Sequence, residues 1–81
     1  MYHVYVLKSQ SSNHFYTGQT DNLQRRIGLH NRGKVKWAKR YKPWKLIFKE
    51  KCADEISAIR REKYLKSHAG RKWLKSKFMG L

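Results

Sequence analysis

The sequence predicts an α+β fold, a three-stranded sheet flanked by helices in the order β-β-α-β-α-α. Three observations carry this reading. Residues 2–7 and 14–17 are rich in β-branched and aromatic side chains and are separated by the small polar cluster Ser9 to Asn13. A third such run follows Pro43. Stretches with helical spacing of apolar residues stand between and after these runs, the first two preceded by a capping residue.

Tyr2 to Leu7 reads as the first strand and His14 to Thr17 as the second, stopped at Gly18 and joined to the first as a hairpin. Asp21 or Asn22 offers an N-cap, and the helix from Leu23 to Asn31 closes near Gly33. Lys34 to Lys42 reads as a loop, because a residue before proline is disfavoured in a helix. Trp44 to Lys49 is the third strand. Asp54 caps a second helix that runs to about Ser67 and breaks near Gly70, and Lys72 to Phe78 forms a last short helix. The chain has 81 residues and reads as a single domain, 1–81. A chain of this size buries only about 60% of its unfolded surface, so its core is modest.

Charge is the strongest bulk signal. Twenty Lys and Arg against five Asp and Glu give a net charge of +15. Such an excess repels itself in the folded state and points to a polyanionic partner, nucleic acid above all. The excess is uneven: Lys8 is the lone cation before Arg25. No stretch approaches the roughly 20 apolar residues of a membrane helix, and a single cysteine, Cys52, excludes an internal disulfide. A cytoplasmic protein with no membrane association is the expectation.

Several polar residues stand where apolar ones belong. On the second helix, Ala58, Ile59, Leu65 and Ala69 fall within one arc that should pack on the sheet, and Glu62 sits in its middle. A carboxylate there needs a partner or a bound cation. Lys66, one turn on, is the simplest partner. A hard divalent cation is the other, with water and phosphate completing its shell. On the first helix, Arg26 and His30 lie one turn apart, bordering the apolar stripe of Leu23 and Ile27. An arginine can fork onto a phosphate, and a histidine can move a proton. Arg25, about 100° round the helix, should be more exposed. Tyr5 and Tyr16 can meet across the hairpin, either as a core pair or as polar handles.

These residues resemble the GIY-YIG nuclease family. His3-Val4-Tyr5 stands where the family's first triplet falls, and Tyr16-Thr17-Gly18 where its second falls. Asn22-Leu23-Gln24-Arg25-Arg26, followed by His30-Asn31, is similar to the family's helix motif, and Ala58 to Glu62 to its metal-binding stretch. His3 replaces the first glycine and Thr17 the isoleucine, and neither change removes a reactive group. The resemblance covers about residues 2–68 and is greatest to the short, free-standing bacterial branch of the family.

The resemblance implies a metal-dependent endonuclease that hydrolyses phosphodiesters in DNA, with branched or damaged DNA as the expected substrate. It implies that Glu62 holds one Mg²⁺ or Mn²⁺, that Arg26 stabilises transition-state charge, and that Tyr16 orients water or phosphate. Tyr5 or His30 would be the general base, and Gly18 would allow close backbone approach. Lys34, Lys36, Trp37, Lys39, Arg40 and Lys42 would then bind nucleic acid, DNA in preference to RNA, with Trp37 or Tyr41 stacking on a base. The alternatives are a non-catalytic DNA- or RNA-binding protein on the same fold, and an adaptor whose protein partner supplies specificity.

Overall fold

The computed structural model describes residues 1–35 and 38–79. Tyr2–Ser9 forms strand β1, Phe15–Thr20 strand β2 and Trp44–Cys52 strand β3, in an antiparallel sheet ordered β2-β1-β3. Helices α1 (Leu23–Asn31), α2 (Glu55–Lys66) and α3 (His68–Met79) complete the predicted order. The Lys34–Lys42 segment is not all loop: Ala38–Tyr41 winds into one 3₁₀ turn, η1. Lys36 and Trp37 lie outside the described residues.

Central strand β1 explains its own composition. Val4, Tyr5, Val6 and Leu7 are all fully buried, because both faces of the middle strand are covered. Val4 and Val6 face Ala58 and Leu65 of α2 and Leu74 of α3, with Phe48 and Trp73 at the margin. Tyr5 and Leu7 face the other way, into a second cluster with Ala38 and Trp44, flanked by Leu23 and Ile27 of α1. Burying each such aliphatic side chain contributes about 1.5–3 kcal/mol. The sheet is therefore the middle layer of three.

Both caps are local. Asn22 Oδ1 accepts the Arg25 amide at 3.1 Å, and Asp54 Oδ1 accepts the Ser57 amide at 2.8 Å. Gly33, with φ of 74°, ends α1 in the left-handed region that glycine tolerates best. Asn31 then ties that end to β3: it donates to the Trp44 carbonyl at 3.2 Å and accepts the Trp44 amide at 2.6 Å.

Four expectations are corrected. Strand β2 runs through Gly18 to Thr20, since the missing side chain leaves room for a neighbour without breaking the ladder. Strand β3 continues to Cys52, following the alternation of Phe48-Lys49-Glu50-Lys51. Ile59 is exposed, so the packed face of α2 is narrower than its apolar arc, and Ala69, also exposed, belongs to α3. Finally, the break between the last helices falls at Ser67, and α3 starts at His68 with Gly70 inside it. Gly70 is buried against α2: a Cβ there would strike the Tyr64 carbonyl oxygen and lie 2.6 Å from Leu65 Cα.

Gly70 thus sets the distance between α2 and α3. Gly70→Ala is expected to destabilise the domain by about 1–3 kcal/mol, as overpacking does, lowering Tm by roughly 4–8 °C per kcal/mol. Thermal melting followed by circular dichroism checks this. An unchanged melt would show that the two helices part at no cost.

Candidate active site

The candidate site forms where β1, β2 and α1 meet. Tyr5 and Gly18 are direct partners across the β1–β2 ladder. A Cβ on Gly18 would lie 2.7 Å from the Tyr5 hydroxyl oxygen and 3.2 Å from a Tyr16 ring carbon. What comes close to the Gly18 backbone is therefore the protein's own Tyr5 ring. Tyr16 stacks beside Tyr5, with centroids 6.3 Å apart and planes at 23°.

Helix α1 brings two polar side chains to the same hydroxyl. Arg26 Nε donates to Tyr5 Oη at 3.4 Å, and His30 Nε2 lies 3.3 Å from that oxygen. The one-turn spacing of Arg26 and His30 produces this convergence. His30 is fully buried, edge-on to Tyr16 at 4.3 Å, with Trp44 beyond it at 6.3 Å. Arg25 is exposed, as expected of the neighbour on the open side, whereas Arg26 is half-buried.

The environment fixes the protonation of these groups. Burial pushes the Tyr5 phenol up to about 12; the Arg26 hydrogen bond opposes this, and nearby Tyr16 and Glu62 charge adds to it. Burial, with Arg26 second, drives the His30 imidazole down to about 4. Hydrogen bonds to Tyr5 and then Tyr16 hold the Arg26 guanidinium still more firmly charged. Near neutral pH the site thus holds a protonated phenol, a neutral imidazole and a cation.

Glu62 arrives from the opposite layer, on α2. Its carboxylate accepts a 2.6 Å bond from Lys66 and its side chain is 22% exposed, while its negative charge still reaches Tyr5. The Lys66 pair is thus realised, and Glu62 is half-buried rather than set in the middle of a packed face. Among the described residues no group of three His, Cys, Asp or Glu converges to cage a metal. A single accessible carboxylate fits a Mg²⁺-type ion that keeps its waters and takes a substrate phosphate as further ligand.

The basic segment is laid out only in part. Lys34, Lys39, Arg40 and Lys42 are exposed. Tyr41 is stacked on His14 at 3.9 Å, so one face of its ring is already covered. Trp44 is a core residue whose Nε1 donates to the Ala38 carbonyl at 2.9 Å, and Trp73 packs edge-on to Phe48 at 5.5 Å. Lys49 and Lys51 lie outside the basic segment that the sequence marks. They pair with Tyr5 and His3 respectively, and so stand exposed on the site face of β3. Extending the strand alternation past Lys49 would have found them.

A family model of the GIY-YIG catalytic domain matches residues 1–76. A UPF0213 protein of Staphylococcus haemolyticus is 36% identical over 75 residues, covering 91% of this chain and 90% of its own. One from Halobacterium salinarum is 37% identical, covering 82% of this chain and 86% of its own. The solution NMR structure of a UPF0213 protein from Bacillus halodurans superposes with a TM-score of 0.56 at 29% identity, covering 95% of this chain and 84% of that one.

His30 gives the site a measurable pH signature. Its folded value of about 4 lies below the ordinary value of 6.5, so the unfolded chain binds the extra proton between those limits. Stability from this group is complete above about pH 6.5 and is lost as pH falls toward 4, by roughly 2–3 kcal/mol. Urea denaturation at pH 7 and pH 4.5 should show that loss in the wild type and a smaller one in His30→Asn. Equal pH slopes in the two proteins would contradict the buried neutral imidazole.

Proposed function

The chain belongs to the GIY-YIG family, a nuclease family whose members generally use a divalent metal, and on that premise we propose that it is an endonuclease hydrolysing phosphodiester bonds in DNA. The observation that carries the reading is the convergence of Arg26 and His30 on the buried Tyr5 hydroxyl. A core tyrosine needs one hydrogen-bond partner. Two partners, one charged and one titratable, exceed what packing requires.

Each side chain has a role consistent with its protonation. Arg26 is a permanent, half-exposed cation, suited to the charge that builds on a pentacoordinate phosphorus. Tyr5 is protonated and His30 is not, so His30 holds the vacant base position of the pair. As the attacking water gives a proton to Tyr5 Oη, Tyr5 gives its own to His30 Nε2, in the tautomer that leaves Nε2 unprotonated. Tyr5 is then the relay and His30 the transient acceptor, an imidazole that gives the proton up readily. Tyr16, bonded to Arg26 and packed beside both Tyr5 and His30, would orient water or phosphate.

Glu62 would hold one Mg²⁺ or Mn²⁺, whose chemistry when bound is to offset charge on the phosphate and the departing 3′ oxygen. Branched or damaged DNA is the proposed substrate, and the exposed Lys34, Lys39, Arg40 and Lys42 would add salt-dependent affinity for its backbone. Among the described residues no helix is long and apolar enough to cross a membrane. One observation favours a second reading, a non-catalytic nucleic-acid-binding protein on the same fold: the Glu62 carboxylate is bonded to Lys66.

Cleavage of flapped, branched and single-stranded DNA with Mg²⁺ or Mn²⁺ separates the readings. Glu62→Ala should abolish cleavage, and Arg26→Ala should slow it by about 10²–10³-fold, as loss of one transition-state donor does. Undiminished cleavage by Glu62→Ala would exclude the metal role. Tight, salt-sensitive binding without cleavage by the wild type would establish the second reading instead.

A further inference from the structure

A cleft of about 450 Å³ opens on the other side of edge strand β2, between that strand and helix α3. Its floor is apolar, made of Phe15, Leu65 and Leu74, and its rim carries Lys66, Arg71 and Lys75. Asn13 and His14 close the end nearest the β1–β2 turn. Arg71 and Lys75 stand four residues apart on α3, a spacing at which like charges destabilise a helix. No acidic residue follows Glu62 in the chain to relieve them.

The α3 cations divide by surroundings. Lys77 lies over the rings of Trp73, Phe48 and Phe78, 4.9 Å from the nearest centroid, and is engaged in packing. Arg71 and Lys75 have exposed side chains at the cleft. The cleft borders the candidate active site: Tyr16 lines it, and Lys66 on its rim holds Glu62.

We propose that this cleft seats an unpaired nucleotide next to the scissile phosphate, its base on the Phe15–Leu74 floor and its backbone on Arg71 and Lys75. An apolar floor with a cationic rim matches a base and its phosphates. A duplex keeps its base faces stacked inside and can offer only phosphates. The inference rests on the nuclease reading and sharpens it: the substrate is nucleic acid with a single-stranded segment at the cut.

The test is binding of a fluorescent thymidine dodecamer and of a blunt hairpin duplex in metal-free buffer, by wild type and by Arg71→Gln/Lys75→Gln. Circular dichroism verifies the variant's fold. The variant should bind the dodecamer about tenfold more weakly, with a salt slope shallower by about 1.4, as two lost single-strand phosphate contacts require. Its binding to the duplex should change by less than about threefold. Equal weakening on both probes would overturn the unpaired-nucleotide assignment, and unchanged binding to the dodecamer would overturn the cleft itself. Because no metal is added, a failure of cleavage bears on the activity, and a failure here bears on the cleft alone.

Discussion

The Tyr5 hydroxyl is the constraint on which the rest of the site depends. It is a polar atom on a fully buried residue of the central strand, and such an atom must be satisfied there or cost a few kcal/mol. Satisfying it recruits α1, whose Arg26 and His30 both end on that oxygen. Making room for the ring that carries it requires Gly18 on the neighbouring strand. A helix register, a strand glycine and a buried imidazole are thus all set by one phenol.

The same arrangement keeps the site apart from the charge that surrounds it. His30 is neutral because it is dry and beside Arg26, and the phenol is protonated because it is buried. A chain with a net charge of +15 would otherwise bathe every group in positive potential. Instead a set of exposed cations surrounds these buried groups: Lys34, Lys39, Arg40 and Lys42 around η1, Lys49 and Lys51 on β3, and Arg71 and Lys75 beyond β2. On the proposed function, that perimeter would hold a polyanion while a single phosphate meets Arg26.

Two layers must be in register for the proposed site to be complete. Tyr5, Tyr16, Arg26 and His30 belong to the α1 side of the sheet, whereas Glu62 comes from α2, packed through Ala58 and Leu65 on the other side. Its charge reaches Tyr5, and its hydrogen bond goes to Lys66. Gly70 helps set where α2 lies by letting α3 touch its backbone.

Strand identity, both caps, the close of α1 at Gly33 and the one-turn spacing of Arg26 and His30 are legible in the sequence. Each is a local consequence of side-chain shape or of a neighbouring backbone amide. The glycines were legible only as departures from regular structure. Gly18 and Gly70 look like stops, yet both lie inside continuous elements, because the space they leave is used by Tyr5 in one case and by α2 in the other. Composition reports that a side chain is missing, but only the packing shows what fills its place. The sequence by itself determined the fold class, the family motifs and the cationic character. The tertiary structure alone decided that Arg26 and His30 share one hydroxyl and that a basic cleft lies behind β2. Those outcomes depend on distances between residues far apart in the chain, which only the packed layers fix.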